Sequence, residues 1–253
     1  MNNRILYAII MILSLIIIIF LFGKVLTSFL LMLIFLGLYD EIQVFFLQRE
    51  RFFSEYFNER HVLYYFFTNF FLLLLFPQWI KILFIISTVL CLIHILLMVR
   101  KDFFNPKLVL FYIATNMVMF IYFFHYEHWI KSLLGIVTLT ALTDTGGLFF
   151  GKNFGKNLMA PSISPNKTWE GFFGGLFLGS LGASFVHSSF DKFFIFVCLS
   201  ALAQLGDLLE SYFKRQYNIK DSSNLIPGHG GLYDRLDSLI FIIPFYCLWI
   251  LGS

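Results

Sequence analysis

Long apolar segments dominate this sequence and exclude most soluble folds. A helix needs about 20 predominantly apolar residues to cross the hydrocarbon core of a bilayer. Segments of roughly this length lie near residues 5–22, 26–46, 62–76, 79–99, 108–124, 129–150, 169–189, 192–213 and 236–252. Only 13% of the 253 residues are charged, whereas a soluble domain carries about 25%. The sequence predicts an all-α integral membrane protein, a polytopic bundle of about nine transmembrane helices.

The basic residues are distributed unevenly between the two sides of such a bundle. If all nine segments cross the membrane, 14 of the 18 lysines and arginines fall on the side of the N-terminus. Loops rich in Lys and Arg stay in the cytoplasm. We therefore expect a multi-pass protein of the cell (inner or plasma) membrane with a cytoplasmic N-terminus and an external C-terminus. The polar loops, and a polar active-site cavity between them, would face the cytoplasm.

Polar residues are concentrated in the C-terminal half of the chain. We expect about five transmembrane helices over residues 1–125, followed over residues 126–253 by transmembrane helices and cytoplasmic loops that would hold the functional site, in one continuous membrane domain. The net charge of +3 is too small to favour binding to nucleic acid. The stretches that interrupt the apolar pattern are residues 143–175, 203–215 and 220–238.

Paired carboxylates mark the second and third of these stretches. Asp207 and Glu210 are three residues apart, as are Asp234 and Asp237, so each pair shares one face of a helix. Carboxylates at membrane depth are costly and usually belong to a functional site. Clustered with Gly, Ser and Lys, they suit a hard divalent cation that shares its ligands with phosphate. The HGG segment, residues 229–231, allows a close backbone approach to an anion.

Structural roles are the alternative for several of these residues. Asp234 and Arg235 have the composition of an interfacial anchor, and Asp144 follows an apolar run where it can cap a helix or fill a polar pocket. His229 between glycines can serve as a structural hydrogen-bonding residue. The residues alone leave these alternatives open.

Taken together, the polar stretches resemble the CDP-diacylglycerol synthase (phosphatidate cytidylyltransferase) family. From Ser211 to Asp237 the chain matches the family pattern Ser-x-apolar-Lys-Arg-x4-Lys-Asp-x-small-x2-apolar-Pro-x-His-Gly-Gly-apolar-x-Asp-Arg-apolar-Asp. The stretches DTGGLFFGKNFGK, SPNKTWEG and QLGDLLES resemble the family too. The resemblance is strong over residues 140–240 and, before that, extends only to segment length and hydropathy.

The resemblance implies a nucleotidyltransferase of phospholipid biosynthesis. Its reaction would transfer CMP from CTP to phosphatidic acid within the lipid bilayer, forming CDP-diacylglycerol and releasing pyrophosphate. A phosphomonoester is largely ionised near neutral pH, so the attacking phosphatidate oxygen needs no Ser-His-Asp relay. The family further implies Mg²⁺, a second monovalent or divalent cation, and a homodimer.

Residue roles follow from the matched motifs. The metal ligands would be Asp207, Asp234 and Asp237, which with Lys214 would form the catalytic group. The residues expected to contact substrate or phosphate are Asp144, Ser164, Asn166, Lys167, Lys220, His229, Gly230, Gly231 and Arg235.

Two other functions compete with this interpretation. A CTP-dependent polyprenol or phytol kinase would transfer the γ-phosphoryl group instead of the nucleotidyl group. A transporter would also contain glycine-broken helices with buried carboxylates. Transporters often have two related halves, whereas here the polar residues are concentrated in one half.

Overall fold

Four long helices form most of the part of the chain that the structure, a computed structural model, describes. The described residues are 128–216, 221–223 and 231–252, with Ile34, Ile82, Ile85, Ile86, Val89 and Asn116. The helices are α1 (Trp129–Phe154), α2 (Trp169–His187), α3 (Phe193–Gln216) and α4 (Tyr233–Gly252).

These helices lie within a few residues of the last four predicted apolar segments, so the helical prediction is confirmed there. A short 3-10 helix, Phe190–Lys192, precedes α3. Among the described residues, Trp129–Phe154 and Phe190–Tyr212 are long and apolar enough to cross a membrane. Of the five segments predicted before residue 125, the structure describes only the isolated residues named above, and the count of nine remains a prediction.

Helices α1 and α2 pack together closely through glycines. A Cβ at Gly171 of α2 would lie 2.6 Å from the Gly147 carbonyl oxygen of α1, and one at Gly146 would lie 2.8 Å from the Gly174 oxygen. Contacts this short leave no room for a side chain. Small residues four apart are typical of helix pairs in membranes. Gly171, Gly175 and Gly179 have this spacing, so the packing signal was present in the sequence.

A two-stranded hairpin departs from the predicted all-α fold. Strand β1 (Leu158–Ala160) pairs antiparallel with β2 (Ser164–Thr168), with Leu158 opposite Thr168 and Ala160 opposite Ser164. The turn closes with a hydrogen bond from Ile163 N–H to the Ala160 oxygen (3.1 Å). Pro161 occupies the second turn position, where its fixed φ is favourable. The hairpin connects α1 to α2.

The opposite end of the bundle contains a polar link of its own. Tyr246 of α4 donates a hydrogen bond to the Ser132 oxygen of α1 (2.7 Å), and its hydroxyl lies 2.7 Å from His187 Nε2 of α2. The His187 ring stacks on Phe196 of α3. This link joins all four helices at the end remote from the hairpin.

Candidate active site

A cavity of about 550 Å³ opens between α1, α2, α3 and the hairpin. Five residues predicted to contact substrate or metal line it: Asp144, Ser164, Asn166, Lys167 and Asp207. They come from α1, β2 and α3, which are distant in sequence. The fold therefore brings the first two polar stretches to one cavity.

Lys167 of β2 and Asp207 of α3 form an ion pair at the edge of this cavity. The Lys167 Nζ lies 2.8 Å from Asp207 Oδ2, and the two side chains are 26% and 34% exposed. The Lys167 Nζ atom itself is buried against the carboxylate, but both side chains line the cavity, so exchange of this ion pair would leave the lysine for an anion and the carboxylate for a cation. This arrangement suits a substrate that carries both phosphate and metal.

An acidic cluster, made of Asp207, Glu210 and Asp237, lies on the facing sides of α3 and α4. One carboxylate oxygen from each residue lies within 4.8 Å of the others. Gly206 permits this approach, because a Cβ there would lie 2.6 Å from the Phe241 Cβ of α4. Three carboxylate oxygens this close together suit a hard divalent cation, which prefers oxygen ligands.

Glu210 provides an independent test of whether the acidic cluster fits a metal. The residue is 2% exposed, and its Oε1 receives no hydrogen bond from any described residue. Its Oε2 is occupied, 2.7 Å from Lys214 Nζ. A buried carboxylate oxygen without a donor is costly, and a cation in the cluster would satisfy it. The donor set therefore fits a divalent metal ion.

Asp234 makes a different set of contacts from the acidic cluster. Its carboxylate lies 3.0 Å from Lys214 Nζ and accepts hydrogen bonds from Gly231 N–H (2.8 Å) and Ser222 N–H (3.0 Å). Burial alone would raise the pKa of the Asp234 carboxyl. The hydrogen bonds from the Gly231 and Ser222 N–H groups and from Lys214 outweigh burial and hold that pKa below its usual range. Asp234 is therefore an ionised group that fastens two loop segments to the start of α4.

These contacts bear on two sequence-based expectations, which stay predictions. The acidic cluster contains Asp207 and Asp237 of the three expected ligands, together with Glu210, and the third, Asp234, lies outside it. Gly231 was expected to present its N–H to phosphate, but that N–H is directed at Asp234. The physical reason is that a carboxylate in the first turn of a helix readily accepts from the N–H groups just before it.

Of the remaining predicted site residues, Lys214 and Arg235 are described by the structure and three are not. Lys214 lies between Glu210 and Asp234 and is 12% exposed on its side chain. Arg235 is exposed in the first turn of α4. Lys220, His229 and Gly230 lie outside the described residues, so their predicted phosphate contacts remain predictions.

Sequence reasoning missed Gln204 as a residue of the cavity. It lines the cavity one helical turn before Asp207, and its amide donates to the Phe172 oxygen of α2 (3.0 Å). The three-residue spacing from Asp207 was a usable signal. The same spacing linked Glu210 to Asp207, but the sequence did not show that Glu210 belongs to the acidic cluster.

The known proteins that this chain resembles are described as cytidylyltransferases. The model of the family described as "Cytidylyltransferase family" matches residues 2–251. A phosphatidate cytidylyltransferase from Staphylococcus epidermidis is 38% identical over 153 residues, 57% of this chain and 59% of the relative. The protein of that name from Staphylococcus aureus is 37% identical over 162 residues, covering 61% and 62% of the two chains. The one from Haemophilus influenzae is 39% identical over 163 residues, covering 56% and 57%. The chain thus spans about three fifths of the length of these curated relatives.

Proposed function

Because the chain belongs to the cytidylyltransferase family, we propose that it is a phosphatidate cytidylyltransferase. It transfers CMP from CTP to phosphatidic acid, forms CDP-diacylglycerol and releases pyrophosphate. The observation that carries this proposal is the acidic cluster next to Lys167 at the edge of a cavity. The names of the similar proteins support the same reaction.

Cytidylyl transfer to phosphatidate does not require the protein to remove a proton from the attacking group. An ionised phosphatidate oxygen attacks the α-phosphorus of CTP, and the bond from that phosphorus to the oxygen bridging to the β-phosphorus breaks. The electron pair leaves with pyrophosphate. Since a phosphomonoester has its second pKa near 6, no general base is needed. The difficulty is the repulsion between two anionic phosphates.

The residues of the site are suited to reducing that repulsion. We assign Asp207, Glu210 and Asp237 as the residues that hold Mg²⁺. The cation supplies positive charge at the reacting phosphates and at the leaving pyrophosphate. Lys167, released from its pairing with Asp207, would bind a phosphate oxygen of the substrate.

Lys214 and Asp234 have supporting roles. Lys214 holds Oε2 of Glu210, which leaves Oε1 for the metal. Asp234 fixes Lys214 from the other side and fastens residues 222 and 231 to α4. A second cation and a homodimer remain predictions with no assigned ligands or contacts.

The apolar helices indicate that the protein is associated with a membrane. We propose that it spans the bilayer several times, with the cavity open to the cytoplasm where CTP is available. This orientation rests on the distribution of lysine and arginine between the loops. Phosphatidate would then reach the cavity from the cytoplasmic leaflet.

A labelling experiment tests the proposed reaction against the kinase alternative. The purified full-length protein is incubated in phosphatidate-containing nanodiscs with Mg²⁺ and CTP labelled on either the α- or the γ-phosphate. We expect label in the lipid product only from α-labelled CTP. Label from γ-labelled CTP would identify a kinase, and no lipid label from either would contradict both functions. The matched control is Asn153→Ala, since Asn153 is exposed and its amide contacts only the Phe149 oxygen of its own helix (2.9 Å).

A further inference from the structure

The β1–β2 hairpin carries Ser164, Asn166 and Lys167, yet it has few contacts of its own to hold it in place. Its strands contain three and five residues, and their register shifts between Leu158 and Ala160. An isolated two-stranded hairpin is marginally stable at best. The position of Lys167 above Asp207 therefore depends on contacts made outside the strands.

Glu170 makes the most extensive of these contacts. It lies in the first turn of α2, three residues after Lys167. Its Oε1 accepts a hydrogen bond from the Asn157 side-chain amide (2.9 Å) and another from the Asn157 N–H (3.2 Å). Its Oε2 is 3.3 Å from the same N–H. Asn157 immediately precedes β1, so the carboxylate connects the two ends of the hairpin.

A backbone hydrogen bond completes this connection. The N–H of Trp169, the first residue of α2, donates to the Asn157 oxygen (3.0 Å). The N–H, the carbonyl and the side chain of Asn157 are thus all engaged at the base of the hairpin. At the opposite end, Arg215 Nε of α3 donates to the Ile163 oxygen (3.2 Å). The base and the tip of the hairpin are thus each held by a side chain from a helix, with Lys167 of β2 placed against Asp207.

We propose that Glu170 is a positioning residue for the reaction, which it serves by clamping Asn157 and so holding Lys167 at the cavity. This inference rests on the proposed function, because Lys167 is there the phosphate-binding group. Glu170 is not among the residues that line the cavity. It acts through the hairpin, by accepting hydrogen bonds from the backbone and side-chain N–H groups of Asn157.

A simpler role for Glu170 would be to stabilise α2 by its charge alone. A negative side chain in the first turn interacts favourably with the helix dipole whatever it contacts. Two substitutions separate the roles. Glu170→Asp keeps the charge but shortens the side chain by one methylene, so it cannot reach Asn157. Glu170→Gln keeps the length and the Oε1 acceptor but removes the charge.

The decisive experiment compares these two variants in the full-length protein, with Asn153→Ala as the control. Steady-state assays in nanodiscs give KM for CTP and kcat, and hydrogen exchange of residues 157–169 reports on the hairpin without requiring turnover. For Glu170→Asp we expect KM to rise and hairpin exchange to accelerate about tenfold, the effect of losing the hydrogen bonds to Asn157. Glu170→Gln should stay within about threefold of the wild type in both measurements.

Comparison of Lys167→Ala with the double variant Lys167→Ala/Glu170→Asp tests whether Glu170 acts through Lys167. Adding Glu170→Asp to Lys167→Ala should raise KM little beyond Lys167→Ala alone, because the group to be positioned is already absent. Fully multiplicative effects would overturn the proposal. So would a larger defect in Glu170→Gln than in Glu170→Asp, or faster hairpin exchange with unchanged kinetics.

The clamp and the proposed function fail in distinguishable ways. Absence of cytidylyl transfer in the wild-type protein would contradict the proposed function by itself. Hairpin exchange that is unchanged in Glu170→Asp would contradict the clamp, whatever activity the protein has.

Discussion

Lys214 pairs with two buried carboxylates at once, and its replacement should lower the free energy of unfolding. Its ammonium group lies 2.7 Å from Glu210 and 3.0 Å from Asp234, whose side chains are 2% and 8% exposed. In Lys214→Met the apolar stem is kept and the charge is lost. Both carboxylates would then be buried without the cation that compensates them. We expect a large loss of folding free energy.

The magnitude follows from the two ion pairs. At an effective dielectric constant of about 20, unit charges 3 Å apart attract by roughly 5 kcal/mol before desolvation is subtracted. Removing one partner of a buried pair costs about 3–5 kcal/mol in practice. Glu210→Gln should cost less, because Lys214 keeps Asp234 as a partner. The double variant Lys214→Met/Glu210→Gln should regain about half of the loss, since one of the two uncompensated charges is gone.

Unfolding by SDS titration from mixed micelles, followed by tryptophan fluorescence, measures these differences. Lys192→Met is the matched control, because Lys192 pairs at 3.5 Å with Asp191 on a surface where the side chains are 43% and 69% exposed. Exposed pairs contribute about 0–1 kcal/mol. If Lys214→Met were no more destabilising than Lys192→Met, buried charge compensation would not be the reason for this arrangement. A double variant less stable than Lys214→Met would refute it as well.

Three further outcomes are expected. Asp237→Asn should lower turnover by about 10²-fold or more and shift the Mg²⁺ titration to higher concentration, because it removes a charge from the acidic cluster. Asp234→Asn should lower turnover without shifting the Mg²⁺ titration. Equal shifts in the two variants would indicate that Asp234 is also a metal ligand. Lys167→Ala should raise KM for CTP or phosphatidate more than it lowers stability, and unchanged kinetics would make the hairpin purely structural. A reporter fused after Ser253 should lie outside the cytoplasm and one inserted near Asn157 inside it, so finding both on one side would refute the nine-span topology.

Much of the local structure could be read from the order of residues. The four described helices match apolar segments whose length is set by the thickness of a bilayer. The glycines at 171, 175 and 179 mark the face on which α2 packs. Three of the four carboxylates expected to act in the site lie at or beside the cavity, since motif spacing identifies residues of similar chemistry: Asp144, Asp207 and Asp237.

The hairpin shows where local signals are insufficient. The SPNKT segment reads as a polar loop between helices, and Pro165 argues against a strand. Its pairing with residues 158–160 is accompanied by contacts of Glu170 and Arg215 that lie outside the strands. The sequence identified Lys167 as a phosphate-binding candidate, but its position opposite Asp207 depends on these contacts.

Tertiary packing alone decided which carboxylates belong to the acidic cluster. A spacing of three residues places Asp234 and Asp237 on one side of α4, but it does not say which of them faces α3. The approach at Gly206 brings Asp237 toward Asp207 and Glu210. Asp234 lies one turn earlier, where the chain enters the helix, and its carboxylate is taken up by Lys214 and nearby N–H groups. Composition and motif thus determined apolar helices and a set of clustered carboxylates. Which carboxylates meet in the acidic cluster and which pair with Lys214 depends on how the helices meet, because identical carboxylates are distinguished only by their neighbours.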